Sequence, residues 1–307
     1  MTLAEQIELA CLMEATARKP GNVHPAASFH DLCYDDFIRA ACAIAEPLSA
    51  VRDAGLGRAI FDAVRATREA TGTNVNLGIA FLLAPLVAVP DNVSLECGIR
   101  KVLAHTTIED AEQVYAAIRL AQPGGMGEAS AQDINDRPTV NLRDAMALAA
   151  DRDRIAEQYV SDFELVFEAR LKLRELSKAS SHWEAAIVSL HVWMMSRWPD
   201  TLIARKCGRD IAEQASVRAM SLIDSAASDG KLDRRQIAEF DGWLRADGHR
   251  RNPGTTADLI AAALFAALRD GLIAAPSRDE ILELAATIRD DPHFGQGDGI
   301  DRNSTSR

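Results

Sequence analysis

A chain of 307 residues, of which 48% are hydrophobic, can bury a substantial core in one large domain or two modest ones. Its 45 acidic and 34 basic residues give a formal net charge of −11, which argues against nucleic acid or an anionic membrane as a partner. The five cysteines form no CxxC pair, so the sequence favours reduced thiols and a cytoplasmic location over a disulfide framework or a zinc site.

The apolar stretches do not look like targeting or membrane-spanning segments. Glu5, Glu8 and Glu14 interrupt the N-terminal stretch, as they would not in a signal peptide. The longest uncharged apolar run, from Leu77 to Pro90, is too short to cross a bilayer, and we expect Pro85 to break it. No membrane partner is therefore expected.

Apolar residues recur with the helical period of 3.6 through most of the chain. A first helix should end before Pro20-Gly21, and others should cover Phe37–Leu48, Ile60–Thr67 and Leu77–Val89. Further helices are expected around residues 94–104, 108–121, 151–178, 183–197, 208–227, 233–246, 255–271 and 278–289. We predict an all-α fold, a single large multi-helix catalytic domain over residues 1–290 with its site at loops and helix N-termini, and a flexible tail over residues 291–307.

Five breaks between these helices combine glycine or proline with carboxylate, amide or guanidinium side chains. In chain order the five motifs are Arg18–His24 (RKPGNVH), Thr71–Gly78 (TGTNVNLG), Gly124–Glu128 (GGMGE), Asp200–Gly208 (DTLIARKCG) and Arg250–Asp258 (RRNPGTTAD). Each alone is an ordinary turn or helix cap, and TGTNVNLG is expected to cap the helix that follows it. Their conjunction favours one site at converging helix ends, because the P-loop, HExxH and GxSxG signatures are absent.

The order and approximate spacing of the five motifs resemble the triphosphoribosyl-dephospho-CoA synthase family over about residues 5–270. Some positions depart from the family pattern. Asn76-Leu77 stands where the citrate- and malonate-linked members tend to carry His-Lys, and Thr255-Thr256 stands where a second glycine and a small residue are usual. Met126 lies within the glycine turn, and Leu202-Ile203 replaces a more polar stretch. The sequence therefore resembles a divergent branch.

The resemblance implies transfer of the triphosphoribosyl group of ATP to a ribose hydroxyl of dephospho-CoA, with release of adenine. Such a displacement at an anomeric carbon needs a base for the hydroxyl proton and cations for the triphosphate. The expected catalytic residues are Glu128, His24 and Asp200, with the base left open between Glu128 and His24. The expected substrate-binding residues are Lys19, Asn22, Asn74, Asn76, Arg205, Lys206, Arg251, Asn252 and Asp258. Asp31, Asp35 and Asp36 are expected to bind Mg²⁺.

Three other interpretations remain open on the sequence. The same catalyst could act on another cofactor precursor, such as a pterin-type one-carbon carrier. A Mg²⁺-dependent hydrolase of nucleotides or ADP-ribose-like substrates would use water in place of the sugar hydroxyl. A helical binding protein would use the five motifs as helix caps alone.

Overall fold

The computed structural model describes residues 1–123, 132–180, 182–226 and 231–290, and these residues form sixteen helices and no strand. The helices are α1 (Leu3–Thr16), α2 (Tyr34–Ser49), α3 (Val51–Ala54), α4 (Leu56–Thr71), α5 (Leu77–Ala88), α6 (Leu95–Ala104), α7 (Ile108–Ala121), α8 (Leu142–Ala147), α9 (Arg154–Val160), α10 (Glu164–Ala179), α11 (Trp183–Arg197), α12 (Thr201–Cys207), α13 (Arg209–Asp224), α14 (Arg234–Arg245), α15 (Gly254–Arg269) and α16 (Arg278–Asp290). The prediction of a single all-α domain is confirmed. The predicted tail, residues 291–307, lies outside the described residues.

Most predicted helices begin and end within a few residues of the observed ones, and the long helix expected over residues 151–178 is the main exception. It is divided into α9 and α10 by Asp162 and Phe163, which adopt positive φ angles of 53° and 66°. Phe163 is fully buried. Packing of this aromatic ring therefore takes precedence over the helical period of the sequence.

Two helices, α5 and α15, form the centre of the molecule. Residues from Ile79 to Val87 of α5 and most of α15 are buried on all sides. A helix that is apolar all round belongs in the core of a large domain. Helices α1, α10 and α11 pack against α15. The second motif leads into α5, and the fifth motif leads into α15. Both motifs therefore lie at the N-terminal ends of the central helices.

The helix predicted over Leu77–Val89 is confirmed, and the break expected at Pro85 within this apolar run does not occur. The helix continues to Ala88. Proline has no backbone N–H, so the carbonyl of Phe81, four residues earlier, loses its helical partner. The hydroxyl of Tyr159 in α9 donates a hydrogen bond to that carbonyl at 2.7 Å. A tertiary contact therefore replaces the helical bond that Pro85 removes.

A smaller apolar cluster joins α11, α12, α13 and α14 through buried residues that include Met195, Ile203, Ala212, Phe240 and Leu244. This cluster fixes α12, the helix of the fourth motif, beside the N-terminal end of α15. Within the described ranges, no helix is long and apolar enough to cross a membrane.

Candidate active site

Residues of four motifs line one cleft of about 1480 Å³. The cleft-lining members of these motifs are Asn22, Val23, Thr73, Asn74, Val75, Leu77, Gly78, Thr201, Leu202, Ala204, Arg205, Lys206, Asn252, Gly254, Thr255, Ala257 and Asp258. The third motif, Gly124–Glu128, lies outside the described residues, and so does the predicted catalytic Glu128. The cleft is the candidate active site.

The first motif is held against the fifth by a glycine and two asparagines. Gly21 has a φ of 78°, and a Cβ there would lie 2.8–2.9 Å from atoms of Leu244 and Pro253. Only glycine fits this close approach of the loop to the start of α15. The Asn22 amide then donates to Oδ1 of Asn252 at 2.6 Å, while Oδ1 of Asn22 is buried without a hydrogen-bond partner.

The N-terminal ends of α5 and α15 meet at Gly78 and Asp258. A Cβ on Gly78 would lie 2.1 Å from Oδ2 of Asp258 and 2.6 Å from Cδ1 of Ile155. Gly78 is therefore required for Asp258 to occupy its position. Backbone N–H groups without helical acceptors, as at the start of α5, favour anionic ligands. At the start of α15, by contrast, the Thr256 N–H already donates to Asp200.

Asp258 lies in an environment that opposes its ionisation. Burial raises the pKa of Asp258 well above its usual range, and the carboxylates of Glu14, Asp200 and Asp153 raise the pKa further. Arg205 acts in the opposite direction. An acid with a strongly raised pKa in a cleft is a candidate for proton transfer.

Helix α12 supplies the predicted basic side of the cleft. Arg205 and Lys206 both line it, and Arg205 lies 3.7 Å from the carboxylate of Asp153. Burial, together with the neighbouring Arg205, lowers the pKa of Lys206. Three further cations also line the cleft, although no motif in the sequence points to them. They are Arg152, Arg154 and Arg209.

Three predicted substrate-binding residues, Asn76 and the two cations Lys19 and Arg251, do not line the cleft. Lys19 is fully buried, and its ammonium group lies 3.0 Å from the carboxylate of Glu14. Arg251 donates to the carbonyl of Trp243 and stacks over that ring at 4.6 Å. Their positive charges are used within the fold, and Lys19 serves the cleft indirectly by pairing with Glu14, which does line it.

Two predicted catalytic residues also have structural positions away from the cleft wall. Asp200 is 3% exposed and accepts four hydrogen bonds, from Leu202 N, Ile203 N, Thr256 N and the Thr256 hydroxyl. It joins the N-termini of α12 and α15. His24 accepts a hydrogen bond from Ala26 N, and its burial lowers its pKa to about 3. Both residues position the motifs, and neither lines the cleft.

The asparagines of the second motif have different environments. Asn74 is exposed and lines the cleft. Asn76 occupies the N-cap position of α5, but its side chain makes no capping hydrogen bond, and its Nδ2 is buried without a partner. The prediction that TGTNVNLG caps its helix through a side chain is therefore wrong at Asn76, whereas the motif does reach the cleft.

The structure separates the three predicted Mg²⁺ ligands. Asp35 pairs with Arg289, and Asp36 accepts from the backbone N–H and thiol of Cys33 and pairs with Arg39. Adjacent helical residues such as these point in different directions. Asp31 alone lines the cleft. Among the described residues, it groups instead with two histidines, His30 and His249.

Three residues of the cleft had no local signal in the sequence. Glu14 lies within α1, Asp153 is the N-cap of α9, and His249 lies in a turn before α15. Asp153 accepts hydrogen bonds from Ile155 N and Ala156 N. Each resembles an ordinary helical, capping or turn residue until the tertiary fold places it in the cleft.

A model of the protein family described as CitG, ATP:dephospho-CoA triphosphoribosyl transferase, matches residues 1–276. The chain belongs to this family. The prediction of a transferase, made from the five motifs, is thereby confirmed. No curated protein sequence matches the chain significantly.

The chain is also similar to a solved structure. A crystal structure from Archaeoglobus fulgidus, whose proposed identity is a triphosphoribosyl-dephospho-CoA synthase, superposes with a TM-score of 0.60 at 26% sequence identity. The match covers 76% of this chain and 98% of that one. The triphosphoribosyl transferase fold thus extends over most of the chain.

Proposed function

We propose that the cleft transfers the triphosphoribosyl group of ATP to a ribose hydroxyl of dephospho-CoA and releases adenine. The observation that carries this proposal is the convergence of four separated motifs on one cleft. That cleft combines the N-termini of two core helices, several cations and an acid with a raised pKa. The cytoplasmic location expected from the cysteines is part of the same proposal.

The triphosphate binds to the basic side of the cleft in this proposal. Arg205 and Lys206 supply positive charge, and the N-terminus of α5 supplies backbone donors. Asn74 and Asn252 offer amide groups to ribose or phosphate oxygens. A local group of cations is needed because the chain as a whole is acidic and repels nucleotides at long range.

Asp258 accepts the proton of the acceptor hydroxyl. It lines the cleft, and its pKa is raised towards the range in which a carboxylate is an effective base. Of the bases expected from the sequence, His24 does not line the cleft and Glu128 lies outside the described residues. Among the residues with a described position, Asp258 fits the role best.

Mg²⁺ is proposed to accompany the nucleotide, although the set Asp31, Asp35 and Asp36 does not fit it. The buried, unpartnered Oδ1 of Asn22 and the carboxylates of Glu14 and Asp153 are oxygen donors of the kind that Mg²⁺ prefers. The ion supplies charge neutralisation to the triphosphate when bound. Asp153 and Glu14 would then oppose the ionisation of Asp258 less strongly.

Adenine release from ATP tests the reaction, with and without dephospho-CoA. We expect release only when dephospho-CoA is present, with formation of the triphosphoribosyl adduct detected by mass spectrometry. Release without an acceptor would support the hydrolase. Release with a pterin-type acceptor but not with dephospho-CoA would move the proposal to another cofactor precursor.

Substitution in α12 tests the triphosphate side of the cleft. Lys206→Gln should raise the KM for ATP about tenfold, because one phosphate contact is lost, with a smaller effect on the KM for dephospho-CoA. Arg235→Gln removes an exposed arginine paired with Glu239 and is the matched control. An unchanged KM for ATP in Lys206→Gln would contradict this assignment.

A further inference from the structure

Two imidazoles and a carboxylate converge at the edge of the cleft. Nδ1 of His249 lies 2.9 Å from Oδ1 of Asp31, and Nδ1 of His30 lies 3.5 Å from the same oxygen. One ligand atom from each of the three side chains lies within 4.8 Å of the other two. Asp31 and His249 line the cleft, and His30 is exposed to solvent.

These separations match those between ligands of one metal ion. With metal–ligand bonds of about 2.1 Å, neighbouring ligand atoms lie about 3.0–3.4 Å apart in octahedral or tetrahedral geometry. The distances from Oδ1 of Asp31 to the two histidine nitrogens are close to this range. An ion could therefore enter with small side-chain adjustments.

The surrounding structure already orients the three side chains. His30 and Asp31 lie in a turn closed by the hydrogen bond from Phe29 N to Leu32 O at 2.9 Å. The Phe29 ring contacts His249 edge-on at a centroid distance of 5.8 Å, and the Arg245 guanidinium lies over the Phe29 ring, 5.3 Å from its centroid. Preorganisation of this kind reduces the ordering cost of binding.

We propose that His30, Asp31 and His249 bind a divalent transition-metal ion of the Zn²⁺ type, with its remaining coordination positions open to solvent and the cleft. Two histidines and one carboxylate are a ligand set found in zinc sites with an open position. Mg²⁺ does not fit because it prefers oxygen ligands. The proposal is independent of the transfer reaction, since it rests only on these three side chains.

Neighbouring charge limits the affinity of the site. Asp31 lies close enough to Lys206 to raise the pKa of that lysine, against the stronger opposing effects of burial and Arg205. The Lys206 ammonium group therefore repels an ion at Asp31. Three ligands and a nearby cation predict micromolar rather than picomolar binding of Zn²⁺.

Titration of the metal-free 307-residue chain with Co²⁺ and with Zn²⁺, in excess Mg²⁺ and without nucleotide, tests the site. We expect one equivalent of Co²⁺ to bind and to give visible absorption bands of a low-symmetry site, which Zn²⁺ then displaces. His249→Gln, His30→Gln and Asp31→Asn should each weaken binding about tenfold or more, since each removes a ligand.

Matched controls are His105→Gln and Asp35→Asn, which change an exposed histidine and an exposed aspartate elsewhere. Circular dichroism should show unchanged helix content in every variant, and His30→Gln is especially safe because the His30 side chain is 81% exposed. Absence of Co²⁺ binding by the unaltered chain would overturn the proposal. Binding that His30→Gln and His249→Gln leave unchanged would overturn it equally.

Discussion

Asp258 is an acid whose surroundings favour its neutral form, and this has a consequence for stability as well as for catalysis. Its folded-state pKa is raised, so the folded protein retains a proton that the unfolded chain releases. Stability contributed by this group is present below the unfolded pKa and is lost as the pH rises through the raised value. Once the pH has risen through that value, the charge on Asp258 is a destabilising feature retained at the candidate site.

The first prediction concerns Asp258→Asn, a change that keeps the shape and removes the charge. We expect turnover to fall about 10²-fold or more, because the proposed base is lost. We also expect the variant to be more stable than the unaltered protein, with a difference that grows between pH 5 and pH 8. Urea unfolding across this pH range measures the difference in the free energy of unfolding between the variant and the parent. A difference that shifts in favour of the parent from pH 5 to pH 8 would contradict the assignment.

The second prediction concerns Gly78→Ala. The new Cβ would overlap Oδ2 of Asp258, so the carboxylate must move. A displacement of about 1 Å at a reacting group lowers kcat/KM about 10²-fold. Gly242→Ala is the control, because Gly242 lies in α14 with nothing within 4 Å of its added Cβ. Equal activity in the two variants would remove Asp258 from the reaction.

At the scale of helices, α5 and α9 depend on each other through a single carbonyl group. Pro85 deprives the Phe81 carbonyl of its helical donor, and the fully buried Tyr159 hydroxyl supplies another. Because α9 also carries Asp153 at its N-cap, the same contact helps to fix an acidic residue of the cleft. Pro85, which in the sequence looks like the end of a helix, thus leaves a carbonyl in α5 that accepts a hydrogen bond from α9.

The third prediction is a double-mutant cycle on this contact. Tyr159→Phe should lower the free energy of unfolding by about 1–3 kcal/mol, the cost of a buried polar group without a partner. In a Pro85→Ala background the backbone N–H is restored, so the same change should cost less. Urea unfolding of the four proteins measures the coupling. Equal costs in both backgrounds would show that the Tyr159 hydroxyl does not replace the missing helical bond.

At the scale of the whole molecule, the fully buried His191 and the partly buried His24 make folding sensitive to acid. Burial lowers the pKa of both His24 and His191 to about 3. In α11, Nε2 of His191 lies 3.1 Å from the carbonyl oxygen of Pro20, and this contact holds the first motif against α11. In acid, the unfolded chain binds protons at these sites that the folded chain does not. Stability is therefore lost as the pH falls from about 6.5 towards 3, whereas Asp258 contributes in the opposite direction.

The fourth prediction isolates His191 from the other titrating groups. His191→Gln should be less stable than the parent at pH 7, but the difference should shrink by about 1.4 kcal/mol for each pH unit below 6.5, because the variant has no proton to exclude. His105→Gln, at an exposed position, is the control. A stability difference for His191→Gln that is independent of pH between 6.5 and 4 would contradict the lowered pKa.

The sequence by itself determined the helices and the candidate motifs. Hydrophobic period and glycine or proline breaks are local signals, so α7 and α11 were predicted with their observed limits, and the five motifs identified the family. The same local signals failed at Phe163 and Pro85. There, a buried ring and a distant tyrosine hydroxyl outweighed the local preference.

Only the tertiary structure decided which polar residues share the cleft. Lys19 and Arg251 look like phosphate ligands in the sequence, but the fold uses one in a buried ion pair and the other in an aromatic stack. In the sequence, Asp153 looks like a helix cap and His249 like a turn residue. The tertiary fold places both in the wall of the cleft, together with Asn22 of the first motif. Whether a charged side chain is free to bind a ligand depends on partners that are distant in the chain. Local sequence patterns do not predict those partners.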